Sequence, residues 1–287
     1  MQLIKSLFLY TPAAKSKYKI LNILGFSYLP NIFYLFFSIF SFFKKKFFIE
    51  NNKDLRFSFT DLEKNGYLKI ENFINESDLE ILIKEINDYV LTTNSDVHDS
   101  DISASLMTLK KNYLSSEILE KYFGKKSLVS RFIASANGVN IKFNPPIEYR
   151  SIVSRGAEKK EYSDNQHLLH YDVTYPSYKA ILYLNDTSDK NGAFKLLPAS
   201  NKSSILRLIR EYKNSISNDP EILNNLYSKE LKNIISVSGS KNTLIIMNAK
   251  TLHSRGIFKE PGYRKTLFID YRFLNSPLNI LLNIIRN

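Results

Sequence analysis

A mainly β domain with flanking helices, an α+β arrangement, is the fold class that this 287-residue sequence predicts. Apolar runs rich in β-branched and aromatic residues recur through it, and strands are expected at 127–134, 139–143, 147–154, 180–185, 243–247 and 265–273. Helical spacing marks segments before and between them. A hydrophobic content of 44% with 13% aromatic residues supports a packed core rather than disorder. The length suits one large domain or two small ones.

Taken in order, residues 1–50 form an aromatic and basic arm. From Ile20 to Phe43 there is no charged residue, and Lys44, Lys45 and Lys46 follow at once. The run is long enough to span a membrane, but Gly25, Pro30 and Asn31 interrupt it. No small-residue cleavage site follows, so a secretory signal peptide is not expected. Two readings stay open: a membrane-surface segment over residues 20–48, with lysines meeting anionic headgroups, or an arm packed on the domain. Residues 51–57 read as a polar linker. Ser77 and Glu80 form a capping box that opens a helix with Leu79, Leu82, Ile83, Ile86 and Val90 on one face. Residues 94–104 read as a loop, and a helix is expected from Ser115. Ser203–Lys213 and Glu221–Ile235 have helical spacing within an insertion spanning 202–240. An apolar tail occupies 276–287.

Composition narrows the chemistry. There is no cysteine, which excludes disulfides, a thiol nucleophile and any thiolate-bound metal. The net charge of +12 comes without a nucleic-acid motif or a basic run interleaved with aromatics over residues 57–275, so no nucleic-acid partner is expected. Among only four histidines, His170 stands two residues before Asp172, so on a strand both side chains point to one face. With His253 from a later strand they make two imidazoles and a carboxylate, a set that holds one face of an octahedral iron(II) ion and leaves three positions open. Singly, each has a plainer reading: a hydrogen-bonded histidine, or a turn aspartate. His167 falls on the opposite face and reads as a structural or orienting neighbour, whereas His98 lies in a polar stretch.

The surroundings of the pair add a pattern. After His170-Tyr171-Asp172 come Lys179–Asp186, ending in Asn-Asp, and Asn191-Gly-Ala-Phe with Pro198-Ala199-Ser200-Asn201. His253 follows, and eleven residues beyond it stands Arg264. With the opening segment Phe59–Ser77, this order resembles the phytanoyl-CoA dioxygenase-like family of Fe(II)/2-oxoglutarate oxygenases over residues 57–275. The chain departs from the family where P-G-S-H is common, and in its long insertion.

The resemblance implies a double-stranded β-helix (a cupin-like jelly roll) with Fe(II), 2-oxoglutarate and O₂ as cofactor and co-substrates. His170, Asp172 and His253 would be the metal ligands and catalytic centre. Arg264 would bind the distal carboxylate of 2-oxoglutarate through two parallel hydrogen bonds, helped by Ser254 or Thr266. Because Asp172 is present, hydroxylation or another oxidation is expected rather than the halogenation of relatives that lack the carboxylate. The expected enzyme is a cytoplasmic oxidoreductase hydroxylating a small organic, lipid or lipid-linked sugar substrate, with the arm as a candidate contact to the inner face of a membrane. The alternative is a catalytically inactive binding or scaffold protein of the same fold.

Overall fold

The computed structural model describes residues 41–52, 54–92, 96–101, 104–110, 116–138, 141, 144–154, 165–173 and 177–271. Most of the N-terminal arm, the tail 276–287 and most of the strand expected at 139–143 lie outside them.

The described chain opens with helix α1 (residues 41–51), which among the described residues docks through the face carrying Ser41 and Phe48. The Ser41 hydroxyl donates to the Ala136 carbonyl (2.9 Å), and Phe48 is buried against Phe59 and Phe132. Helix α2 (Phe59–Asn65) is capped by the Ser58 hydroxyl and stopped by Gly66 at φ 82°. A Cβ there would come within 2.5 Å of Thr251 Oγ1, so this turn requires glycine on both backbone and contact grounds. Strand β1 (Tyr67–Ile70) leads into α3 (Glu76–Thr92). Leu79, Leu82 and Ile86 of the expected face are buried. The cap is Asn75 rather than Ser77: its Oδ1 accepts from the Ser77 amide (3.1 Å), placing the helix start before the expected box.

Two expectations fail next. Residues 94–104 are not simply a loop: β2 (Asp96–Asp101) pairs antiparallel with β3 (Ala104–Lys110), which itself pairs with β4 (Ile147–Ser154). Hydrogen bonds to a neighbouring strand compensate for the weak strand propensity of a sequence such as Asp-Val-His-Asp-Ser-Asp. Residues 127–134 are helical. Following α4 (Glu117–Phe123), α5 (Leu128–Asn137) runs from its Ser127 cap to Gly138, burying Val129, Phe132 and Ile133. That i, i+3, i+4 set is a helical face, and it outweighs the β-branched content that suggested a strand.

The remaining strands fall where expected: β5 (Tyr178–Tyr183), β8 (Leu244–Asn248) and β10 (Gly262–Asp270). Between them lie the short β6 (Lys195–Leu196), β7 (Ile235–Ser236) and β9 (His253–Ser254). The insertion holds α6 (Ile205–Ile216) and a much shorter α7 (Ile222–Leu226), where a helix as far as Ile235 was expected; the chain then makes a 3₁₀ turn at Leu231–Asn233.

Among the described residues all strand pairs are antiparallel, in a seven-stranded sheet of order β1-β8-β5-β10-β4-β3-β2 and a three-stranded sheet of order β7-β6-β9. Alternation divides the core. Ala180, Leu182, Leu244, Ile246, Leu267 and Ile269 of the large sheet join the helical layer. Ile181, Tyr183, Ile245 and Met247 pack instead against Phe194, Leu196 and Val237 on the small-sheet side. The site described below lies on that second face.

The segment after β6 fastens the N-terminal helices to β9. The Ala199 amide donates to the Asn65 carbonyl (2.9 Å), and the Ser200 hydroxyl accepts from the Leu252 amide (2.8 Å). Ala199 adopts φ 60°, the left-handed conformation for which the resembled family often uses glycine. Ala199→Gly is expected to raise stability by roughly 0.5–1 kcal/mol, the left-handed penalty less the entropy cost of glycine. A denaturant titration measures it, and an unchanged or lowered midpoint counts against strain at this position.

Candidate metal centre

The centre is assembled by one antiparallel contact. His170 and His253 exchange both backbone hydrogen bonds (2.9 and 2.8 Å), although neither belongs to a long strand. A pair bonded in this way has adjacent side chains, and the two rings lie with centroids 4.4 Å apart. Two residues on, the Asp172 amide donates to the Ala249 carbonyl (3.0 Å), which keeps the segment extended and returns the carboxylate to the side of His170. Ligand atoms of His170, Asp172 and His253 all lie within 4.8 Å of one another.

Each imidazole is held from behind. His170 Nδ1 lies 2.8 Å from the Leu168 carbonyl, and His253 Nδ1 lies 2.7 Å from the Thr251 carbonyl. A carbonyl only accepts, so Nδ1 carries the proton and Nε2 keeps its lone pair. Burial, then the neighbouring His253, pushes His170 down to about 3; burial and Lys179 lower His253. Both rings are therefore neutral near pH 7, the form that binds metal. This donor set fits a divalent iron ion: two neutral imidazoles and one carboxylate converge from one side, each imidazole with a backbone partner orienting it.

Lys179 also belongs to the site, and the sequence reading passed over it. It lies on β5, whose six residues are all buried. Its Nζ is 2.8 Å from Asp172 Oδ2 and 2.9 Å from His253 Nε2, and it sits over the Phe194 ring. A lysine in an otherwise apolar buried strand was the available clue, since burying an ammonium is unfavourable without a partner. Lys179, Ile181 and Tyr183 share parity on β5, so the strand runs from the triad along the space between the sheets.

Arg264 enters that space from β10 and is buried, with Nη1 donating to the Gly192 carbonyl. It influences Tyr183, whose phenol is pushed up by burial and drawn back by the Arg264 charge. Thr266 shares Arg264's face of β10, is buried, and donates to the Arg150 carbonyl (3.4 Å). Ser254 is buried on β9 beside His253, in register with Lys195. His167 lies in a 3₁₀ turn (Asn165–His167) and is not one of the clustered ligands, and His98 lies on β2.

No known family profile matches the sequence, and no curated protein matches it. Solved structures do. One is SnoK, a non-heme α-ketoglutarate-dependent carbocyclase from nogalamycin biosynthesis (TM-score 0.52, 11% identity, covering 77% of this chain and 84% of that one). Another is the epimerase SnoN in complex with Fe3+, α-ketoglutarate and nogalamycin RO (TM-score 0.51, 14% identity, covering 77% and 86%). A third is EctD from S. alaskensis with bound Fe (TM-score 0.51, 14% identity, covering 77% and 78%). The chain has the fold of non-heme iron and 2-oxoglutarate-dependent enzymes. Its antiparallel sheets with flanking helices are jelly-roll-like, and its His-Asp-His cluster lies within that fold.

A metal ion held by Asp172 and His253 would compete with the Lys179 ammonium, which already contacts Asp172 Oδ2 and His253 Nε2. Lys179→Met is expected to tighten metal(II) affinity by about tenfold, or ~1.4 kcal/mol, in a titration against a competing chelator. Weaker binding in the variant would mean that Lys179 supports the metal ligands instead of competing for them.

Proposed function

We propose that the chain is an Fe(II)/2-oxoglutarate-dependent dioxygenase, related to the phytanoyl-CoA dioxygenase-like family, that hydroxylates a small organic, lipid or lipid-linked sugar substrate. One observation carries this reading: two carbonyl-held imidazoles and a carboxylate converge within 4.8 Å on a fold shared with enzymes of this chemistry. The facing sheets are read as the two halves of a double-stranded β-helix.

In this reading His170 Nε2, His253 Nε2 and an oxygen of Asp172 hold the metal. Iron(II) with 2-oxoglutarate supplies oxidative decarboxylation coupled to oxidation of a C–H bond. The chain's own residues bind and orient. Arg264, buried between the sheets, is the cation for the distal carboxylate, because a guanidinium matches it with two donors and remains charged at any working pH. Thr266, on the same face of β10, is the candidate hydroxyl donor beside it; Ser254, paired with Lys195, follows His253 on β9 and so points to the other face of the small sheet. Lys179 is a second cation at the opposite end of the same face, placed to hydrogen-bond an acid group brought close to Asp172. The apolar residues Phe194, Ile181 and Met247 line the space and limit water around the site. A peripheral membrane contact through residues 20–48 accompanies this function when the substrate is lipid-borne. Of that segment the described part exposes Phe42, Phe43 and Phe47.

Anaerobic addition of Fe(II) and then 2-oxoglutarate tests the centre. A weak visible charge-transfer band is expected in the native chain and absent in Asp172→Ala; no band in iron-loaded native protein overturns the proposal. Slow decarboxylation of 2-oxoglutarate without substrate separates an enzyme from an inactive binding protein of the same fold, which would show none. Arg264→Ala is expected to raise the KM for 2-oxoglutarate by about 10–100-fold, the loss of one charge-assisted pair, with metal affinity unchanged. An unchanged KM would assign the carboxylate to another cation.

A further inference from the structure

Helix α6 of the insertion is amphipathic in the reverse sense. A helix on a globular domain normally turns its apolar stripe inward. Here Ile205, Leu206, Leu208, Ile209 and Tyr212 face outward, Ile205 with 79% and Leu206 with 55% of its surface exposed. The inward face is polar. Arg207 donates to Glu211 (2.6 Å) and to the carbonyls of Ser200 and Lys250, and its guanidinium lies 4.7 Å from the Tyr171 ring. Asn214 Nδ2 donates to the Tyr171 hydroxyl (3.0 Å). Tyr171 is the residue between His170 and Asp172. The outward apolar face is thus fixed to the metal-site segment by hydrogen bonds from its opposite side.

We propose that this face docks on an anionic lipid surface. Three features favour that partner. First, the charge around the apolar residues is positive: Lys202 and Lys213 are exposed and Arg210 lies at the edge, while Glu211, the helix's acidic residue, is turned inward and buried. Lysine stems lie along an apolar surface with their ammonium groups at headgroup level. Second, a cleft of about 310 Å³ opens beside Leu206, lined by Lys202, Arg207, Arg210, Tyr227 and Glu230. Arg207 is paired with Glu211 (2.6 Å) and Arg210 with Glu230 (2.8 Å), so it is Lys202 at the cleft's rim that faces a phosphate-bearing headgroup. Third, α1 presents a comparable face, with Phe42, Phe43, Phe47 and Ile49 exposed among Lys44, Lys45 and Lys46. Both segments are seated on the same residue of α2: Lys45 pairs with the Glu63 carboxylate, and Asn201, just before α6, donates to the Glu63 carbonyl (3.3 Å). A second copy of the chain fits less well. Two-fold pairing would bring the same Lys202, Arg210 and Lys213 rim against itself, in a chain of net charge +12.

The test uses the full chain and co-sedimentation with phosphatidylcholine vesicles, with and without phosphatidylglycerol. It reads no turnover, so its outcome is independent of the proposed oxygenase chemistry. The native chain is expected to partition onto the anionic vesicles, less so as salt rises. Ile205→Asp/Ile209→Asp should lower that partition by at least about tenfold, since two apolar side chains no longer enter the interface. Lys213→Glu, which leaves the apolar face and the buried contacts intact, should lower it by about fivefold or more. The proposal is overturned if both variants sediment like the native chain, which would leave α1 and the residues before it as the anchor. It is equally overturned if the native chain ignores anionic vesicles, or if it is a dimer in solution that the double aspartate variant dissociates.

Discussion

The reciprocal backbone pair between His170 and His253 is the constraint on which the centre depends. Neither residue is held by a long strand, and they are 83 positions apart in the sequence. Two hydrogen bonds fix their separation, the alternation of the chain then sets Asp172 on the same side, and carbonyls at Leu168 and Thr251 set both rings. The rest of the fold keeps that pair in register. Asp172 is tied to Ala249, Leu252 to Leu197 and Ser200, and Thr251 to Gly66, so segments from three regions of the chain meet at β9. The geometry is thus set by backbone bonds that are in place whether or not a ligand is near, which is how a site is preorganised.

Charge in the interior follows a consistent logic. Lys179 lies against Asp172, Arg207 against Glu211, and Lys250 reaches Ser203 with Glu211 4.0 Å away. Burial draws Lys250 below its ordinary value, opposed by Glu211. Buried charges of this kind add little net stability but penalise arrangements in which a partner is missing. Their effect is to select one docking of the insertion on the sheet.

How much of this was legible in the sequence depended on whether short-range spacing carried the information. The clustering of His170 with Asp172, the strands at β5, β8 and β10, and the buried face of α3 all express a period of two or of 3.6, and the structure has them. The hairpin of β2 and β3 was missed because long-range pairing, not local propensity, makes it a sheet. Helix α5 was mistaken for a strand because the β-branched Val129 and Ile133 were weighed above the helical spacing of Val129, Phe132 and Ile133. In α6 the helical spacing was legible and the side that faces the core was not. Periodicity gives the angles between side chains around an axis but not which side of the axis the core lies on, and here the buried side is held by Arg207, Glu211 and Asn214. Lys179 escaped for a related reason, since nothing within a few residues of it carries the opposite charge; its partner lies seven positions back on another segment.

The grip of α6 on Tyr171 bears on how such a chain diverges. An insertion attached only at its two ends can be exchanged between relatives without altering what lies beneath it. This one reaches through Arg207 and Asn214 to the side chain between His170 and Asp172 of the candidate metal centre. A relative carrying a different insertion would lose the partners of the Tyr171 hydroxyl and ring together, so positions 171, 207 and 214 should change as a set across homologues. Inheritance of the insertion and of the segment carrying His170 and Asp172 is thereby linked, and change here would come by editing α6 in place more readily than by replacing it.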